Sequence, residues 1–175
     1  MEKQFKHLSI FTMITLVALG CQTPKEDLKV SENSRTYQEV WSEFFNERNL
    51  EIVNDQFFTD DVTVVIPDNN IVGIEGTKNY YGNFLLGFSD AEFTFVDIFG
   101  QGDKLVKHWN FKGTHDGDFF GIPPTGKSLN LSGTTLILME DGKIKQEQNF
   151  FDNLDMLSQL GLSLIHISEP TRPLY

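Results

Sequence analysis

The chain has 175 residues, 22% of them charged and 13% aromatic, with a formal net charge of −11. An acidic chain with no basic patch between aromatics is a poor partner for nucleic acid. The lone cysteine, Cys21, excludes an intramolecular disulfide, a CxxC pair and a cysteine zinc cluster.

In chain order, MEKQFKH supplies Lys3 and Lys6, and LSIFTMITLVALG follows as an apolar run ending in small residues. This is the layout of a secretory signal, too short for a comfortable membrane span. Cys21 comes next, and Ala18, Leu19, Gly20 and Cys21 resemble the lipobox of bacterial lipoproteins. That resemblance implies removal of residues 1–20 and a lipid-modified Cys21 as the membrane anchor. Gln22, where an acidic residue would signal retention, implies the outer membrane of a double-membraned bacterium. Residues 21–33 are polar and read as a tether.

Beyond the tether, SRTYQEVWSEFFNERNL places Tyr37, Val40, Trp41, Phe44 and Phe45 at helical spacing, with Ser34 as a candidate cap. LEIVNDQFF predicts a shorter helical piece. VTVVIP is a strand stopped by Pro67, DNNIVGIEG a loop, and GTKNYYGNFLLGF a second main helix. Three long strands follow: AEFTFVDIFG, DKLVKHWNFKGTH and SLNLSGTTLILME. A fourth, KIKQEQNFFD, comes after the turn at Asp141 and Gly142, and DMLSQLG closes as a short helix. Helices first and a curved, mostly antiparallel sheet afterwards define an α+β layout, in which a bent sheet wrapped over helices forms a cone with a pocket at its mouth. Residues 163–175, SLIHISEPTRPLY, resemble translated adaptor or vector sequence, so the domain is read as residues 34–162.

GIPPTGKS, Gly121 to Ser128, fits the phosphate-loop pattern G-x-x-x-x-G-K-S. A phosphate cradle needs a buried strand before the loop and a helix after it. Here a polar segment precedes it and an alternating strand follows, and Pro123 and Pro124 remove two backbone donors. The stretch reads as a link between strands and not as a nucleotide site.

The same region carries a resemblance. Gly113 to Lys127 reads G-T-H-x-G-x-F-x-G-x-P-P-T-G-K, and it is followed by the DGKI turn and FDNLDMLSQLGL. Together these resemble the SnoaL-like polyketide cyclases (ester cyclases) of the NTF2-like superfamily, over roughly residues 34 to 162. The resemblance implies an NTF2-like α+β cone, a small hydrophobic ligand, a homodimer paired through the open face of the sheet, and ring closure by acid–base chemistry with no metal or cofactor. Such chemistry needs a base within hydrogen-bond reach of a carbon acid and a donor for the enolate oxygen.

The residues that carry the chemistry match the family incompletely. Family members usually read G-x-I-x-E-x-W-x-x-x-D on the last strand, whereas this chain has Gln146 and Gln148 at the Glu and Trp places. A two-residue period puts Ile144, Gln146, Gln148, Phe150 and Asp152 on one face, and Lys145, Glu147, Asn149 and Phe151 on the other. Asp152 is the family-matched carboxylate that remains, either as a base or as the cap of the closing helix. His108 and His115 are the other ionisable candidates, as donors at the pocket or as strand and turn residues. Trp41, Tyr80, Tyr81, Phe84, Trp109 and Phe150 are candidates for an apolar lining, with Gln146 and Gln148 as a polar floor. His115 and the neighbouring aspartates give no tight ligand pattern, so no metal is assigned. Two function classes stay open: a cofactor-independent cyclase, isomerase or hydrolase, and a non-catalytic module that binds a small molecule or a protein.

Overall fold

A computed structural model describes residues 25–162; the leader, Cys21 and the tail from residue 163 lie outside the described residues. Helix α1 (Lys25–Asn46) leads to a single 3-10 turn (Leu50–Ile52), strands β1 (Phe58–Val65) and β2 (Ile71–Val72), and helix α2 (Ile74–Gly87). Strands β3 (Glu92–Gln101), β4 (Lys104–Thr114), β5 (Ser128–Glu140) and β6 (Lys143–Phe151) follow, and α3 (Asn153–Gln159) closes the domain. The six strands form one sheet in the order β2-β1-β6-β5-β4-β3. Only β1 and β6 run parallel; the other pairs are antiparallel. This is the α+β arrangement expected from the order of periodic segments.

Three local expectations are corrected. Helix α1 begins at Lys25, so the part of the polar segment from residue 25 is helical and Ser34 lies inside the helix instead of capping it. The extra turns are held down by tertiary contacts: Lys29 pairs with Asp103 at 2.7 Å and buried Asn33 donates to the Gly102 carbonyl at 3.4 Å. LEIVNDQFF supplies only the short 3-10 turn, because Asn49 and Asn54 side chains bind nearby backbone groups and turn the chain. DNNIVGIEG, expected as a loop, contains β2 and the first turn of α2.

GIPPTGKS joins the segment after β4 to β5, with Gly121 and Gly126 at positive φ of 80° and 67°. His115 N–H donates to the Lys127 carbonyl and Gly126 N–H to the His115 carbonyl, both at 2.9 Å. The loop is thus clasped as a β connection, and a strand follows it where a phosphate site would need a helix.

The core lies between the helices and the concave face of the sheet. Tyr37, Val40, Trp41 and Phe44 on α1 are essentially fully buried, as are Phe58, Val62 and Val64 on β1 and Phe88 after α2. Trp41 meets Tyr81 with ring centroids 4.4 Å apart and Phe44 at 5.3 Å, both edge-on. Such pairs add about 0.5–1.5 kcal/mol beyond the area they bury.

The register shifts in three strand pairs, and two of these shifts, on β3 and β6, are single-residue bulges. One residue of β3 is extra between Phe95 and Asp97 against β4. On β6, Met139 pairs with Ile144 while Leu138 pairs with Gln146, leaving Lys145 as the extra residue. A bulge of this kind sharpens the local twist and resets which residues face inward.

Candidate functional site

The bulge at Lys145 decides the chemistry of β6. Past it, Glu147, Asn149 and Phe151 fall opposite Ile137, Thr135 and Gly133 of β5. Ile137 and Thr135 point into the core, so Glu147, Asn149 and Phe151 share the concave side. Gln146, Gln148 and Phe150 face outward, with Gln146 and Phe150 exposed. The expected polar floor of Gln146 and Gln148, and Phe150 as a lining residue, are therefore corrected: an uninterrupted two-residue period does not survive the bulge.

A narrow cavity opens between α1, α2 and the concave face. Its walls are aromatic: Trp41 and Phe45 from α1, Tyr80, Tyr81 and Phe84 from α2, and Phe93, Trp109 and Phe111 from the sheet. Lys107 and Asn149 are its polar side chains. The free space is about 40 Å³, room for a few waters and well below a drug-sized site. At the rim, Phe120 packs on Tyr80 and Phe84 with centroids 5.4 and 5.8 Å away. Phe120 has φ of 52°, a left-handed conformation that is costly for a bulky side chain. Gly133 makes the Trp109 wall possible, since a Cβ there would lie 2.4 Å from the indole.

Behind the aromatic walls lies an ionisable chain. Lys107 of β4 is buried and its Nζ donates to Tyr37 Oη at 2.9 Å. Tyr37, on α1, donates in turn to Glu147 Oε1. Lys107 makes no ion pair among the described residues; its Nζ lies over the rings of Tyr37 and Phe93, 4.8 and 4.9 Å from their centroids. Glu147 Oε2 and the Trp41 indole nitrogen have no hydrogen-bond partner among the described residues.

Burial raises the Glu147 carboxyl above the ordinary carboxylate range, against the opposing pull of the Lys107 charge and of the Tyr37 hydroxyl. Burial also lowers Lys107 to about 8, although the Glu147 charge favours its protonated form. The Tyr37 and Tyr81 phenols are pushed well up, first by burial and then by the Glu147 charge. A second chain runs alongside: Trp109 Nε1 donates to Thr135 Oγ1 at 3.0 Å, Thr135 to Asn149 Oδ1 at 2.6 Å, and Asn149 Nδ2 to Tyr81 Oη at 3.0 Å. It fixes the amide and the indole at the cavity wall.

The remaining sequence candidates are scattered. Asp152 is exposed and is the N-cap of α3, accepting from Asp155 N–H at 2.9 Å; it takes no part in the cavity. His108 faces outward, opposite to Trp109, with Nε2 3.0 Å from Ser132 Oγ. His115 is fully buried, but beside Phe88 and Phe119 and not in the cavity. Its Nδ1 accepts from Thr125 N–H at 3.4 Å and lies 3.1 Å from Thr125 Oγ1, so it braces the loop. Trp41, Tyr80, Tyr81, Phe84 and Trp109 all line the cavity. Lys107 and Glu147 were missed. Lys107 had a signal, as a lysine between Leu105 and Trp109 on the apolar side of its strand; Glu147 had none without the bulge. Among the described residues no group of three or more His, Cys, Asp or Glu side chains could hold a metal.

Three helices on a six-stranded mixed sheet, with an aromatic cavity between the first two helices and the sheet, make the NTF2-like α+β cone. The chain belongs to the SnoaL-like polyketide cyclase family, whose model matches residues 34–160. Solved structures agree in fold. A protein described as a SnoaL-like polyketide cyclase from Jannaschia sp. CCS1 superposes with a TM-score of 0.71 at 21% identity, covering 81% of this chain and 97% of its own. TsrD from Streptomyces laurentii gives 0.67 at 25% identity, with 75% and 96% covered. IdmH from Streptomyces antibioticus, described as a polyketide cyclase, gives 0.62 at 26% identity, with 74% and 99% covered. No curated protein matches the chain.

Proposed function

We propose that the domain binds a small, largely hydrophobic carbonyl or ester compound in the aromatic cavity and carries out cofactor-independent acid–base chemistry on it, of the cyclisation or isomerisation kind. The observation that carries this reading is Lys107: a buried amine lining an otherwise apolar cavity and linked through Tyr37 to a buried carboxyl. Groups whose environments push their pKa values toward neutrality are what proton transfer at a carbon acid requires. Lys107 faces the carbonyl group of the occupant, and Tyr37 passes protons to and from Glu147. The aromatic walls exclude water and hold the apolar body. Because the free space is small, the occupant enters by displacing rim side chains, with Phe120 foremost.

Binding is tested by thermal unfolding against a panel of aryl ketones, aldehydes and esters. A ligand at a hundred times its Kd stabilises by about 2.7 kcal/mol. Lys107→Met weakens the best ligand by about tenfold, or 1.4 kcal/mol. A panel without any saturable shift sinks the reading. A binding role without turnover is the second reading; what favours it is that Asp152, the carboxylate matched to the family, caps a helix instead of facing the cavity.

We further propose that the protein is a lipoprotein of the cell envelope, anchored through Cys21 in an outer membrane, and that it pairs through the outer sheet face. The support is the Ala18–Cys21 lipobox and an outer face that exposes Phe99, Leu136 and Phe150. An acylated Cys21 with residues 1–20 removed is the expected mass-spectrometric result, and twice the domain mass the expected sedimentation result.

A further inference from the structure

We propose that Lys107 is a nucleophile that forms an imine with an aldehyde or ketone carbonyl of the occupant, which narrows the ligand class and excludes esters as the reacting group. This rests on the carbonyl-binding reading above.

The geometry raises the fraction of the amine that is neutral. An ammonium carries three donors, yet Nζ has one hydrogen-bond partner, Tyr37 Oη at 2.9 Å, and no ion pair among the described residues. The facing rings attract a cation, but less than the loss of water around an ammonium disfavours it. Burial accordingly holds the amine near 8. Lysines desolvated in apolar pockets are the ones that serve as Schiff-base nucleophiles.

The proton inventory closes between the cavity and the Tyr37–Glu147 pair behind its wall. The Nζ lone pair adds to the carbonyl carbon, a C–N bond forms as the C=O π pair moves to oxygen, and one proton passes from the nitrogen to that oxygen to give a neutral carbinolamine. A second proton then passes from the Glu147 carboxyl through Tyr37 to that hydroxyl, the C–O bond breaks and water leaves. The nitrogen keeps or sheds its last proton as iminium or imine. No oxidant, reductant or second reactant is consumed. The raised Glu147 carboxyl is the acid that the dehydration step needs, and the iminium acidifies the neighbouring C–H in the same cavity.

The test is reductive trapping with benzaldehyde and cyanoborohydride at pH 7 on the whole protein, with peptide mapping of the first benzyl group incorporated. Lys107 is expected to label at least about tenfold faster than exposed Lys112, because an amine near 8 has a far larger neutral fraction at that pH. Lys107→Met and Lys107→Arg, checked for fold by circular dichroism, lose the fast phase. Tyr37→Phe slows it. Saturable stabilisation by benzaldehyde with no preference for Lys107 overturns the imine and leaves the binding reading intact. Neither stabilisation nor fast labelling overturns both. The mapping on the unsubstituted protein decides the matter even if neither variant folds.

Discussion

The two faces of β6 differ in every property that bears on function, although they alternate within a single strand. Its concave face carries Glu147, Asn149 and Phe151, of which Glu147 is fully buried and tied to α1 through Tyr37. Its convex face carries Gln146, Gln148 and Phe150, beside His108 and Thr134 of neighbouring strands. One extra residue, Lys145, sets which triplet faces which way. It is held by Asp61 on β1, with its Nζ 2.5 Å from the nearer carboxylate oxygen. A solvent-screened charged contact therefore sits at the position that turns Glu147 toward the core.

Substitutions placed on the two faces should break apart by orders of magnitude. Glu147→Gln keeps the shape but cannot carry a proton, and it is expected to lower turnover of any carbonyl substrate by about 10²–10⁴-fold. Gln146→Glu, one residue away on the convex face, is expected to leave turnover unchanged. Equal effects in a steady-state assay would dissolve the distinction between the faces. In stability, Trp41→Ala is expected to cost about 3–5 kcal/mol, since it empties the centre of the aromatic core, while outward-facing His108→Ala stays within about 0.5 kcal/mol. Urea melts at constant m-value measure both.

The concave side also predicts a pH dependence that the convex side lacks. Lys107 is held near 8 in the fold against 10.5 when unfolded. Between those values the unfolded chain binds more protons, so this group makes stability rise with pH, by at most about 1.4 kcal/mol per unit. Glu147 has the opposite sign: its raised folded value gives stability that is present below the unfolded carboxylate pKa and lost as pH rises through the folded one. The Tyr37 and Tyr81 phenols, raised well above 10.0, withdraw stability once the unfolded phenols ionise. The window in which Lys107 acts is pH 8 to 10, and comparing wild type with Lys107→Met isolates its contribution there. The rise should vanish in the variant, and an identical slope in both would mean that Lys107 is not desolvated.

Most of the architecture was legible because it rests on local patterns. Helical spacing from Tyr37 to Phe45, alternation in SLNLSGTTLILME and the Asp141–Gly142 turn each act within a few residues. The family motifs around Gly113 to Lys127 added the cone. Five lining aromatics were legible for the same reason. The ionisable part of the site was not, because it depends on a register shift between β5 and β6 and on contacts across the sheet: Tyr37 and Glu147 are 110 residues apart, Tyr37 and Lys107 70. A single alternation rule run through KIKQEQNFF sends the carboxylate outward, and nothing within that strand marks Lys145 as the extra residue. The family comparison pointed to Asp152 for a related reason, since matched position does not fix side-chain direction.

Asp152 supplies the smallest and most discriminating expectation. Its carboxylate accepts from Asp155 N–H at the start of α3, and the side chain is exposed to solvent. Asparagine caps a helix about as well as aspartate, so Asp152→Asn should change stability by only a few tenths of a kcal/mol; alanine lacks the acceptor and should cost about 1 kcal/mol. Neither should alter turnover or ligand affinity, because the side chain faces away from the cavity that Glu147 serves. The pair is read by chemical denaturation alongside the same carbonyl assay used for Glu147→Gln. A tenfold or greater loss of turnover in Asp152→Asn, with stability preserved, would return the catalytic carboxylate to the end of β6 and leave Glu147 as a structural acid.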